Sequence, residues 1–174
     1  MQASSLLSPR LSLRSSPPRA ARVCLLALLL AACGEPSSEE AKQKLAEKNL
    51  PVAPETLLAS TKSDQSADDA RLLVIAGADP NARQPNGMTA LMSAAFNGQA
   101  DVAKLLLEKG ADVNAEAAGF NALSLAVERR DKAMVKLLLA HGAQPKARPA
   151  GGLSALEKAR QRNDEKMAAL LQGD

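Results

Sequence analysis

The chain has 174 residues, with 22 Lys and Arg against 19 Asp and Glu, one histidine, two cysteines and two phenylalanines as its only aromatics. That composition leaves no material for a cysteine–histidine metal cluster or an aromatic cage, and no Gly-rich phosphate loop is present. The net charge of +3 is front-loaded: removing residues 1–32 takes away four arginines and no acid, leaving 18 basic and 19 acidic groups. The basicity therefore lends no support to nucleic-acid binding.

Arg10, Arg14, Arg19 and Arg22 precede the apolar run Val23-Cys24-Leu25-Leu26-Ala27-Leu28-Leu29-Leu30-Ala31-Ala32. A positive region, an apolar run and small residues at its end make the layout of an export signal. A ten-residue helix reaches about 15 Å against a hydrocarbon core of ~30 Å, which argues against a membrane span. The segment Leu30-Ala31-Ala32-Cys33 resembles the lipobox of bacterial lipoproteins. The resemblance implies acylation of Cys33 and removal of residues 1–32 as a signal peptide. More than one acyl chain is needed for stable anchoring, which that processing would supply. Gly34, and not aspartate, follows Cys33, so the resemblance implies the outer membrane, facing the periplasm. The processed chain would have 142 residues, enough for one domain, with Cys33 its only cysteine and so no structural disulfide.

Gly34-Glu35-Pro36-Ser37-Ser38 is polar and turn-rich and reads as a short tether. Glu39 to Lys48 follows as a helix, with Ser37 or Ser38 as N-cap and acids in its first turn. Ala41 and Leu45 share one side, and Pro51 and Pro54 end the helix. It is expected to cap the unit that follows, the alternative being a solvated linker. Residues 33–53 thus hold anchor, tether and cap.

From Pro54 onward the sequence repeats. Gly77-Ala78-Asp79-Pro80-Asn81 returns as Gly110-Ala111-Asp112-Val113-Asn114 and, eroded, as Gly142-Ala143-Gln144-Pro145-Lys146. Thr89-Ala90-Leu91, Asn121-Ala122-Leu123 and Ser154-Ala155-Leu156 keep register with a weaker first copy, Thr56-Leu57-Leu58, at spacings of 33, 32 and 33. Such a period marks a stack of small units that presents a surface to a partner. In the second copy Ala90 to about Asn97 reads as a short helix and Gly98 breaks it. Asp101 to Lys109 reads as a second helix, with Val102, Leu105 and Leu106 on one face. The leucine clusters end at or near Gly77, Gly110, Gly142 and Gly173, where a left-handed residue closes a helix. Neither helix buries its apolar face alone, so one unit is expected to be unfolded and several stable.

Thr89 to Ala115 resembles the ankyrin-repeat pattern T-P-L-H-x-A-A, G-H, L-L-L-x-x-G-A-D-x-N. The matches are Thr89, Leu91, Ala94, Ala95, Gly98, Leu105 to Leu107, Gly110 to Asp112 and Asn114. Ala90 and Met92 replace the proline and histidine, and Gln99 the second histidine. In the third copy Arg130 replaces the interhelix glycine and Gln144 the aspartate. The resemblance covers about Pro54 to Leu171. It implies an all-α ankyrin-repeat solenoid over residues 54–172, of about four helix-turn-helix units with the first and last degenerate, behind the N-terminal capping helix. It further implies a non-catalytic monomer without cofactor, binding an unidentified partner protein through its concave groove while lipidated Cys33 holds it to the membrane.

In that family the hairpin tips and the outward side of the first helices face the partner. The corresponding tip residues are Arg83, Asn86 and Met88, then Glu116 and Phe120, then Arg148 and Leu153. The helix positions are Phe96 and Asn97, Glu128 and Arg129, and Gln161 and Arg162. Met88, Phe120 and Leu153 make an apolar row at a normally solvated site, the mark of a contact surface; the alternative is that Met88 and Phe96 pack as filler. Residues 33–127 hold 8 basic and 13 acidic groups, residues 128–174 hold 10 and 6. Lys146, Arg148, Lys158, Arg160 and Arg162 therefore suit an acidic patch or anionic lipid, or simply form a solvated face. A second reading is an inhibitor or immunity-type lipoprotein against a toxin or envelope enzyme. A hydrolase or metal protein is the third: it has only His141 beside a helix end, and Asp64, Asp68 and Asp69 for a calcium ion, and both fit helix-terminal roles better.

Overall fold

A computed structural model describes residues 36–62 and 66–173. The first element, α1 (Ser38–Glu47), starts on Ser37. The Ser37 hydroxyl accepts the Glu40 N–H and the Glu40 carboxylate accepts the Ser37 N–H, a reciprocal box that satisfies two orphan donors. The helices that follow come in pairs: α2 (Pro54–Ser60) with α3 (Ala67–Ile75), α4 (Ala90–Asn97) with α5 (Ala100–Glu108), α6 (Ala122–Glu128) with α7 (Lys132–Ala140), and α8 (Ala155–Gln161) with α9 (Glu165–Gln172). Thr89, Asn121 and Ser154, the residues recurring at 32 and 33, are N-caps. Each side chain accepts the backbone N–H three residues on. The register of the repeat is thus a register of caps.

The pairs stack in two rows, α2, α4, α6 and α8 on the inside and α3, α5, α7 and α9 on the outside. Leu57, Leu91, Leu123 and Leu156 from the inner row meet Leu73, Leu106, Leu138 and Leu171 from the outer, and all are buried. Each fully buried leucine contributes about 1.5–3 kcal/mol. Ala94, Ala95, Ala126 and Ala159 are wholly buried and let the inner helices approach closely. The all-α solenoid of about four helix pairs expected from the period is what the chain forms.

α1 has no inner partner. It lies in the outer row against α3, with Ala41 and Leu45 buried and Lys48 ion-paired to Asp69. Its end copies the ends of α3, α5 and α7. The Leu50 N–H bonds to Leu45 O as Ala78 does to Leu73, Ala111 to Leu106 and Ala143 to Leu138. Asn49, at φ 53°, takes the left-handed position that Gly77, Gly110 and Gly142 hold elsewhere. The capping helix is therefore the outer half of a unit.

Hairpin fingers over residues 79–89, 112–121 and 144–154 join the units. In the second, β1 (Glu116–Ala117) pairs antiparallel with β2 (Phe120–Asn121) through a two-residue loop with φ 51° at Ala118 and 79° at Gly119. Two left-handed residues give the turn whose twist matches the strands. Asparagine amides lock the first two fingers onward along the stack. Asn81 Nδ2 donates to Gly110 O at 3.0 Å, and its Oδ1 accepts the Asp112 N–H at 2.8 Å. Asn114 repeats this with Gly142 O at 3.2 Å and the Gln144 N–H at 3.0 Å. Asn81→Ala or Asn114→Ala removes two bonds from a joint, at an expected cost of about 1–2 kcal/mol. Urea unfolding should show a lower midpoint at unchanged m-value, and an unmoved midpoint would mean the amides join nothing.

Candidate partner-binding surface

The fingers and the C-terminal ends of the inner helices share one face, to which the repeat register brings every predicted site residue of residues 83–162. Phe96 is 51% exposed and Leu153 39%, the two large apolar side chains this face offers to solvent. Met88 and Phe120 are half-buried against the core, so the apolar row opens to solvent at Leu153. Phe120 is covered because Lys158 Nζ sits 4.0 Å from its ring centroid. Lys158 is itself buried and pairs with Glu128 Oε1 at 2.5 Å. These groups, with Gly119, Gly152 and Leu153, line an open cleft of about 290 Å³.

Asn97, Arg129 and Arg162 are equivalent positions, and each reaches back to the preceding inner helix. Asn97 Nδ2 donates to Thr61 O at 2.7 Å, and Arg162 Nη1 to Glu128 O at 2.7 Å. The Arg129 guanidinium lies over Gly98, 2.9 Å from where a Cβ would stand. This stapling role was not visible in the sequence, although three donors recurring at the helix ends are its signal. The fingers are linked likewise. Arg83 Nη1 donates to Gly87 O and, at 3.1 Å, to Glu116 O, and Glu116 Oε2 accepts the Ala150 N–H at 3.3 Å. Asn86, exposed at the first tip, accepts the Met88 N–H.

Arg148 ion-pairs with Glu157 across the start of α8. The Arg148 side chain, then the Ser154 N–H and hydroxyl, hold the Glu157 carboxyl down to about 2, from 4.5. A depressed carboxylate stabilises the fold above its ordinary pKa, and that stability is lost as pH falls through the folded value. The advantage of the native chain over Glu157→Gln should hold steady above pH 4.5 and shrink towards pH 2 in thermal melts. An advantage constant across that window would mean the carboxylate is not held.

The remaining polar candidates stand apart. His141 is exposed at the end of α7 with its N–H bonded to Leu137 and Leu138 carbonyls. Asp69 is paired with Lys48, Asp68 lies in the first turn of α3, and Asp64 falls outside the described residues. Among the described residues, no three His, Cys, Asp or Glu side chains are grouped to hold a metal ion. No described helix is long and apolar enough to cross a membrane. Cys33 and the apolar run before it lie outside the described residues.

A family model described as Ankyrin repeats (3 copies) matches residues 56–149. No curated protein matches the chain. The match runs from α2 into the third finger, through the Thr89 and Asn121 caps and both asparagine joints, and takes in more than half of the 174 residues. The chain therefore belongs to the ankyrin-repeat family, and its repeats make it a protein–protein interaction module.

Proposed function

We propose that the chain is a non-catalytic recognition module tethered by a lipidated Cys33 to a bacterial envelope membrane, on the periplasmic face of the outer membrane. It captures a partner protein on the concave face built from fingers and inner helices. One observation carries the recognition half. Phe96, one of only two aromatics in the chain, stands 51% exposed on that face. A large ring left in water forgoes the stabilisation its burial would bring and suits a contact made with a partner. The anchoring half is supported by the arginine-flanked apolar run and Leu30-Ala31-Ala32-Cys33.

A photo-crosslinking residue at position 96 or 153 should give a partner adduct in intact cells. The same residue at 104 or 136, on the solvent side of the outer row, should give none. Adducts from the outer row alone would move recognition off this face. Cys33→Ser should shift the protein from the membrane fraction to the soluble one, and an unchanged distribution would refute the anchor.

A further inference from the structure

The acids of the partner-facing surface are already engaged within the stack. Glu116 accepts the Ala150 N–H, Glu128 pairs with Lys158, and Glu157 pairs with Arg148. Three guanidinium groups on the same face have no such answer. Arg83 and Arg162 donate to neutral backbone carbonyls, and Arg129 lies over the Gly98 cap. Among the described residues, none of the three is ion-paired with a carboxylate. The helix ends beneath Arg129 and Arg162 carry about half a negative charge each, which answers only part of their field.

Arg129 and Arg162 occupy the same position in adjacent units, so packed helices place them about 8–10 Å apart. That interval is about three residues of extended chain or five to seven of helix, of which a separation of seven keeps both side chains on one face. Leu153 and the cleft over Phe120 lie on the finger side of the same pair of units. A long polyanion suits this face poorly, because residues 33–127 hold 13 acidic groups against 8 basic. A short acidic segment that stays on the last two units meets the basic half alone.

We propose that this face takes an acidic segment of a partner protein, its two carboxylates on Arg129 and Arg162 and an apolar side chain between them against Leu153. The proposal deepens the recognition reading above and rests on it. Charge-assisted bidentate bonds to guanidinium supply the specificity, and the apolar contact supplies affinity that salt does not remove.

A random twelve-residue peptide library displayed on phage and selected on the full-length chain provides the test. Selected peptides should carry paired Asp or Glu, three or seven residues apart, flanking an apolar residue. R129Q/R162Q should weaken the best of them at least tenfold. Glutamine keeps an amide donor for the helix ends, as Asn97 does at the same position, so melting should stay near that of the native chain. Raising salt from about 0.05 to 0.5 M should weaken native binding roughly tenfold and variant binding little. Neutral apolar winners that Leu153→Ser abolishes and R129Q/R162Q spares would overturn the acidic segment while leaving the concave face as the binding surface. Winners indifferent to every substitution on this face would sink both. Displacement of the peptide by phosphatidylglycerol vesicles or by an oligonucleotide at lower concentration than free peptide requires would overturn the choice of a protein segment.

Discussion

Gly152→Ala should lower the melting temperature by roughly 10 °C and release the third finger from the second. A Cβ at Gly152 would stand 2.0 Å from Gly119 O, 2.8 Å from its carbonyl carbon and 3.1 Å from its Cα. These are backbone atoms, and Gly119 is the second left-handed residue of a two-residue turn that offers little room to retreat. Overpacking of this kind costs about 3 kcal/mol, and each kcal/mol shifts a domain of this size by about 3–4 °C. Gly151→Ala is the control. Gly151 has φ 75° and no atom near its Cβ position, so its cost is the left-handed backbone alone, about 1 kcal/mol. Equal losses at the two glycines would show that the fingers are not held in contact. Hydrogen exchange at the Ala150 N–H, bonded to Glu116 across the fingers, should quicken in Gly152→Ala and stay slow in Gly151→Ala.

Leu106→Ala should cost about 3–5 kcal/mol, and more than Leu171→Ala, although both remove the same atoms from buried sites. Leu106 is on α5, which packs against α3 on one side and α7 on the other, whereas α9 has an outer-row neighbour only in α7. Stability in a stack is a sum over units and their interfaces, so a cavity in the middle weakens two interfaces and one at the end weakens one. The urea transition of Leu106→Ala should also broaden, with a lower m-value, as the two flanks unfold separately. Equal midpoints and slopes for the two variants would contradict nearest-neighbour stacking.

The repeat and its capping chemistry were legible because both are local. The helix read from Ala90 to about Asn97 runs Ala90–Asn97, since a threonine cap and a glycine bracket it. α5, which has no side-chain cap, slipped: it runs Ala100–Glu108, one residue before the expected Asp101 to Lys109. In α1 the adjacent Ser37 and Ser38 both fit the cap; Ser37 takes it, so the helix begins at Ser38, before the expected Glu39. The third copy lacks the interhelix glycine, yet Arg130 adopts φ 59° in its place and Asn163 φ 53° in the fourth. Packing on both sides thus imposes a left-handed residue that composition does not announce. The outer-row identity of α1 was hidden by spacing. Leu45 precedes Leu73 by 28 residues, because no finger separates α1 from α2, and a search at 33 passes over it.

The surface was legible by position and not by role. Register put Phe96 and Leu153 at partner-facing positions, with packing as filler the alternative for Phe96, and both stand in solvent. It gave no sign that Lys158 would fold onto Phe120, or that Asn97 and Arg162 would donate to carbonyls 36 and 34 residues away. Those contacts depend on how far one unit turns over the next, which is a property of the assembled pair.

The asparagine joints bear on how such an array changes length. Asn81 and Asn114 make the same two bonds to the same two atoms of their neighbours, so either seam is interchangeable with the other. Duplicating the segment from one asparagine to the next would insert a cassette whose two seams match by construction, lengthening the scaffold without inventing an interface. Lys146 stands at the third equivalent position, so a unit added beyond the fourth would lack the amide seam that a cassette inserted between Asn81 and Asn114 brings with it.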